Sequence, residues 1–294
     1  MASTYLTRTP SSASNRKTWT WSGWVKTATT SGDKGIFSAS TDSSNRNAIN
    51  LSTDAYFIFD YEVGGTRYIV SSQDAKYRDT NGWYHLVVAV DTTQATDTNR
   101  VKMYVNGSQI TLTTILNGYP LQNADMFINN NISHSIGRQD WGTNYFDGSM
   151  AHVHFIDGTA YDASTFGEYD STTGIWKPKF GPSVTYGTNG FFLKFENSGA
   201  FGTDSSGNAN NFTVNGTMTQ NIDTPANVFA TWNNIDGKTS SSTFSNGNLK
   251  TVSAANSPNI CGTSTLGASQ GKYYYEIKLT TEAASGEAFM GLGS

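Results

Sequence analysis

Cysteine is almost absent. The chain of 294 residues has one, Cys261, so no disulfide can close within it. Its "NICGTS" setting is apolar and small, without a His or Asn partner, and reads as an inert thiol rather than a nucleophile. Proline is scarce at 6 residues, and charged residues make up only 14%. No run of about 18 apolar residues occurs, which excludes a membrane-spanning helix. Basic residues (19) are fewer than acidic ones (23), for a net charge of -4 and a pI near 5.5. This balance gives no electrostatic case for nucleic acid, which would need a basic patch. The nucleophile elbow Gly-x-Ser-x-Gly, the phosphate loop and paired Cys/His zinc spacings are all missing. The opening "MASTYLTRTPSSASNRKTWTW" lacks the charged-then-apolar order of a secretory signal. Asn-x-Ser/Thr triplets at Asn50, Asn106, Asn131, Asn211 and Asn215 are what an Asn/Ser/Thr-rich chain contains by chance.

Aromatics are plentiful at 13%, with 29 glycines and many Thr, Ser and Asn. That mixture favours short strands and tight turns over helices. "KTWTWSGWVKT" alternates, with Trp19, Trp21 and Gly23 on one side and Thr20, Ser22 and Trp24 on the other. "KGIFSAS", "NAINLS", "AYFIFDYE" and "RYIVSS" follow, separated by Gly, Asn, Asp and Ser. Trp83 to Asp91 is a nearly unbroken apolar run, which predicts a strand buried on both faces. Residues 92–100 are polar and predict an exposed connection. Val101 to Val105 is the next strand, with Val101, Met103 and Val105 on one face. Asn106-Gly107 closes a hairpin, because this pair supplies the two positive φ angles of a type I′ turn. In "YFDGSMAHVHFIDGTAYD", Met150, His152, His154 and Ile156 share one parity and Ala151, Val153, Phe155 and Asp157 the other. "DASTFGEYD" is the one helical turn expected, with Asp162 as its cap. Many strands and no long helix define an all-β sandwich or jelly roll.

The series "NGWYHLVVAVD", "RVKMYVNG", "HSIGRQ" and "YFDGSMAHVHFIDGTAYD" resembles the concanavalin A-like, laminin-G type jelly roll over roughly residues 1 to 215. "YLTRTPSSASNRKTWTWSGWVK", "FIDGTAYDASTFGEYDSTTGIWKPK" and "YGTNGFFLKF" with "DSSGNANNFTVNG" are similar to lectin-like virion proteins of tailed, especially marine, bacteriophages. "GKYYYEIKLTTEAASGEAFMGLGS" resembles the opening half of a SPRY-type module. The resemblance implies a two-sheet jelly roll at 1–216, a linker at 217–228 and a partial second β-sandwich at 229–294 whose strand "GKYYYEIKLTT" belongs to that second unit.

Glycosidases of this fold class carry carboxylates in a Glu-x-Asp-x-x-Glu strand pattern, since acid and nucleophile must face one sugar at a set separation. No such run exists. Asp60 and Glu62 share a strand face in "FDYEV" but lack a third partner, and they read as a solvated strand end. His152 and His154 share a face and could ligate a metal, yet two surface histidines are the plainer interpretation. His85 reads as a packed structural residue. The resemblance implies a calcium site at the sandwich rim, for which Asp140, Asp147 and Asp204 are the oxygen donors in polar loops; the same residues suit ordinary turns. In "RQDWGTNYFDG", Arg138, Asp140, Trp141, Asn144 and Tyr145 combine aromatic faces with polar groups in one loop, the composition that sugar recognition uses.

The expected protein is a non-enzymatic phage virion component, a fibre, appendage or head decoration, acting in the particle as a homo-oligomer. Its expected partners are other virion proteins and host-surface glycans, with no nucleic acid and no membrane insertion, and its cofactor is none or Ca²⁺. A polysaccharide-degrading enzyme on the same fold and a soluble sugar-binding adhesion module are the alternatives.

Overall fold

The computed structural model describes residues 4–233, 242–253, 262–267, 270–272 and 274–280. Cys261 and the closing "AFMGLGS" lie outside them. The first strands are β1 (Tyr5–Arg8), β2 (Thr18–Thr27), β3 (Lys34–Asp42), β4 (Asn45–Leu51), β5 (Phe57–Val63) and β6 (Thr66–Ser71). Next come β7 (Tyr84–Asp91), β8 (Val101–Val105), β9 (Ser108–Gln109), β10 (Thr113–Leu116) and β11 (His134–Ile136). The chain continues through β12 (Gly148–Asp157), β13 (Gly167–Tyr169), β14 (Trp176–Pro178), β15 (Phe191–Leu193), β16 (Thr213–Asn215), β17 (Ser242–Ser245) and β18 (Lys250–Ser253).

Two antiparallel sheets carry the architecture. One has eight strands in the order β10-β6-β5-β4-β3-β11-β1-β16, and the other has six in the order β15-β12-β2-β7-β8-β9. The small hairpins β13–β14 and β17–β18 are two-stranded sheets of their own. The fold is all-β, as the sequence predicts, and consistent with the concanavalin A-like jelly roll. β7 and β8 are antiparallel neighbours, with Val88 opposite Met103. Asn106 (φ 48°) and Gly107 (φ 86°) make the expected hairpin turn.

Alternation along the strands builds the core. The six-stranded sheet turns Trp19, Trp21, Leu86, Val88 and Met103 inward, and the eight-stranded sheet answers with Phe37, Ile49, Phe57, Phe59 and Val70. Each large apolar side chain buried this way contributes about 1.5–3 kcal/mol. Asn106 also fixes the hairpin to its neighbour, because its Oδ1 accepts the His85 N–H at 2.8 Å.

β12 departs from simple alternation. Ala151 lies opposite Trp24 and His154 opposite Ser22, so three steps on β12 match two on β2. This is a β-bulge, and the extra residue is His152, at φ 48°. The expected parity therefore breaks in the middle. Met150 packs toward the core with Val153 and Phe155, while Ala151 joins the outer side. His152 and His154 still lie on that outer side, both near the Phe192 ring.

The outer face of the six-stranded sheet is covered by its own chain. Residues 159–187 fold over it, so that Ala163 packs with Val87, Ala89 and Tyr104, and Trp176 borders them. This explains why β7 is apolar on both faces. Asp162 accepts the Ser164 N–H at 3.0 Å and caps a short 3-10 turn, Ala163–Thr165.

Residues 217–228, a linker by composition, are pinned to the sandwich. Lys26 Nζ and Asp223 Oδ2 are 2.8 Å apart with both side chains 2% exposed. The Trp83 indole donates to the same oxygen at 3.1 Å, and the Phe229 N–H donates to Oδ1 at 3.0 Å. Beyond them, residues 272 and 274–280, expected as a strand, have no regular secondary structure and are exposed. A strand needs a partner to satisfy its backbone, and none of the described strands pairs with this stretch.

Candidate functional site

The loop between β11 and β12 folds back across the outer face of the eight-stranded sheet rather than projecting from the sandwich end. Gly137 (φ 83°) permits the turn, and Gln139 N–H to Asn144 O (3.0 Å) closes the loop. The Asn144 amide donates to Gln139 Oε1 at 2.8 Å and stiffens it. Gly35 on β3 makes the close approach possible, because a Cβ there would lie 2.3 Å from the Gln139 nitrogen. Ser38 acts as the pivot: its hydroxyl donates to the Arg138 carbonyl and accepts the Asp140 N–H, each at 2.9 Å.

Asp140 faces the sheet. Its carboxylate accepts from Ser135 Oγ (2.8 Å), Ser40 Oγ (3.2 Å) and Arg138 Nη2 (2.9 Å). Arg138 also lies over the Tyr5 ring, 4.0 Å from its centroid, and Tyr145 sits 5.8 Å from Tyr5. Trp141 is half-buried, and the Arg46 guanidinium stands 4.7 Å from its ring centroid. Arg46 in turn pairs with Glu62 at 2.6 Å and approaches Asp60 at 3.7 Å. Arg67 grips Asp60 with two parallel bonds, 2.9 and 2.8 Å long, and this pairing raises the Arg67 pKa further.

Asp60 and Glu62 are thus not a solvated strand end. The Asp60 side chain is fully buried and Glu62 is 12% exposed, because both lie under arginines from neighbouring strands. The sequence signal for the site was the loop composition. Arg46, Tyr5 and Gln139 were missed, since only strand register brings Arg46 opposite Glu62 and Tyr5 beside the loop.

Asp140, Asp147 and Asp204 do not come together. Asp147 pairs with Lys34 at 3.3 Å. Asp204 accepts from the N–H groups of Phe192, Ser206 and Asn210, each at 2.8 Å, and closes the 204–211 loop. A cation would meet N–H and O–H donors where it needs lone pairs, so this set does not fit a shared calcium site. Among the described residues no three His, Cys, Asp or Glu side chains converge as metal ligands.

The histidines serve packing. The Trp176 indole donates to His85 Nδ1 at 3.0 Å, which leaves the His85 proton on Nε2 for Ser22 Oγ at 2.9 Å. Burial lowers the His85 pKa to about 3. His154 is buried against Phe192 with a 2.9 Å hydrogen bond between its Nδ1 and the Tyr186 hydroxyl, and burial lowers its pKa as well. One candidate metal ligand is therefore already engaged.

This arrangement, two antiparallel sheets with a polar loop laid across one outer face, defines a lectin-like sandwich. The chain belongs to the concanavalin A-like lectin/glucanases superfamily, whose family model matches residues 2–164. No curated protein matches the chain in sequence. Among solved structures it is similar to the heptameric SAP-like pentraxin of Limulus polyphemus, with 15% identity, 54% of this chain and 71% of that one covered, and a TM-score of 0.40. A carbohydrate-binding module of a Ruminococcus gnavus sialidase shares 11% identity over 53% of this chain and 90% of its own, with a TM-score of 0.38. A tailspike protein of the Escherichia coli O157:H7 bacteriophage CAB120 shares 14% identity over 54% of this chain, with a TM-score of 0.39; only 22% of the tailspike is covered.

Proposed function

We propose that the protein is a non-catalytic glycan-binding component of a phage particle, and that the Trp141 loop is its recognition surface. The observation that carries the binding reading is Trp141 itself: a half-buried indole, braced by Arg46, in a loop fastened to the rigid sheet at Ser38 and closed on itself by Gln139 and Asn144. A held aromatic face costs little entropy to bind and suits the apolar face of a sugar ring. The virion assignment is supported by the sequence resemblance; host-surface glycans, neighbouring virion subunits and further copies of the chain are its proposed partners.

The absence of catalysis is supported by the state of the carboxylates. A glycosidase needs one carboxyl group free to carry a proton to the leaving group and a second open to the sugar. Asp60 is enclosed between Arg67 and Arg46, and Glu62 is bound to Arg46.

Trp141→Ala tests the reading on a glycan array, alongside a melting curve. Loss of a stacked ring should weaken binding several-fold, as for roughly 0.5–1.5 kcal/mol, with the melting temperature little changed. A large drop in melting temperature with unchanged binding would make Trp141 a packing residue. Release of reducing sugar that Glu62→Gln abolishes would overturn the non-catalytic assignment. Immunolabelling of purified particles tests the virion assignment.

A further inference from the structure

We infer that the Trp141 surface takes an uncharged glycan and discriminates against sugars bearing carboxylates; this rests on the binding reading above. The inference comes from how the charges around the indole are matched. Three guanidinium groups, Arg46, Arg67 and Arg138, share the outer face of the eight-stranded sheet, and arginines beside an aromatic ring would ordinarily suit an acidic sugar. Here each is already committed. Arg67 binds Asp60 through two bonds, Arg46 binds Glu62 and lies near Asp60, and Arg138 binds Asp140. Three carboxylates answer three guanidinium groups, so the network is neutral as a whole.

Burial makes these pairs costly to exchange. The Arg46 side chain, the one against the indole, is 11% exposed, with Glu62 12%, Asp60 0% and Asp140 9%; Arg138 is 19% exposed, and Arg67, at 40%, is the open member but is held by both oxygens of the enclosed Asp60. A ligand carboxylate reaching for Arg46 would have to displace Glu62 and leave that carboxylate enclosed without its partner, or else approach an intact anion. A neutral hexose meets neither obstacle. It can lie against the indole and exchange hydrogen bonds with the loop's polar groups. In this arrangement Arg46 is a positioning residue, which holds the indole through its guanidinium face and spends its charge on Glu62 and Asp60.

Matched pairs of oligosaccharides test the inference, each pair a neutral chain and the same chain capped with sialic acid or a uronic acid. Binding to the full chain is measured by titration calorimetry at about 0.05 M and about 0.5 M salt. The expected result is that neutral members bind, capped members bind no tighter, and the neutral affinity changes less than about twofold with salt. Glu62→Gln frees one charge of Arg46 and should raise affinity for the capped member relative to its neutral partner by several-fold; an unchanged ratio would count against the inference. Capped members binding about tenfold tighter than neutral ones to the wild type, with an affinity that collapses at high salt, would overturn the neutral-ligand inference and leave glycan binding standing. No binding to either member of any pair would overturn the binding reading itself, and this inference with it.

Discussion

His85 carries an acid-dependent share of the stability. The indole of Trp176 can only donate, so His85 Nδ1 must keep its lone pair, and protonation would set two N–H groups against each other. His134 is held in the opposite tautomer: its Nε2 accepts the Asn129 N–H at 2.9 Å while its Nδ1 donates to the Ile132 carbonyl at 2.8 Å. Burial lowers its pKa to about 4. Both values lie below the ordinary histidine value of 6.5, so the unfolded chain takes up protons first as the solution is acidified. The stability these residues support is complete above about pH 6.5 and is lost as pH falls toward their folded-state values, by roughly 1.4 kcal/mol per pH unit for each. Urea denaturation between about pH 7 and pH 4.5 should show unfolding free energy falling with pH. A flat profile would contradict these assignments.

The loop and the bulge are decided at the level of elements. Gly35 admits the loop because a Cβ would strike backbone, which cannot swing aside as a side chain could. Gly35→Ala should therefore displace residues 138–145, destabilise the protein by about 1–3 kcal/mol and weaken glycan binding together with it. Unchanged melting and binding would mean that the loop does not depend on this contact. The bulge makes a separate prediction. His152 holds φ at 48°, a conformation hard on β-branched side chains. His152→Val should cost more than about 1 kcal/mol, while His152→Gly should be nearly neutral, as denaturation midpoints would reveal.

Across the whole molecule, the Lys26–Asp223 pair joins positions 197 residues apart and ties the strap at 217–229 to the six-stranded sheet. Removing one partner leaves the other charged and enclosed. Lys26→Met alone, or Asp223→Leu alone, should cost about 3–5 kcal/mol, while the double substitution should cost less than the sum of the two, since it leaves no unpaired charge and loses only the acceptor of the Trp83 indole and the Phe229 N–H. Limited proteolysis adds a local readout: either single variant should expose the strap to cleavage near residues 217–228. Additive losses in the double variant would show that the two groups are not coupled.

The strand content, the β7–β8 meander with its Asn-Gly turn, and the cap at Asp162 could all be read from residue order, because period-two alternation, turn chemistry and capping are local properties. So could the loop that carries Trp141, through its mixture of aromatic and polar residues. Local rules could not foresee the rest. A bulge at a non-glycine residue leaves no mark in composition, so Met150 and Ala151 take the faces opposite to those that simple alternation predicts. Asp60 and Glu62 looked solvated because their partner Arg46 comes from the neighbouring strand and depends on register. The polar stretch around Asp223 looked like a linker because its anchoring lysine lies almost two hundred residues earlier. Alternation and turns are set by neighbours in the chain, whereas charge pairing, burial and the seat of the loop are set by neighbours in space, which only the packed sheets supply.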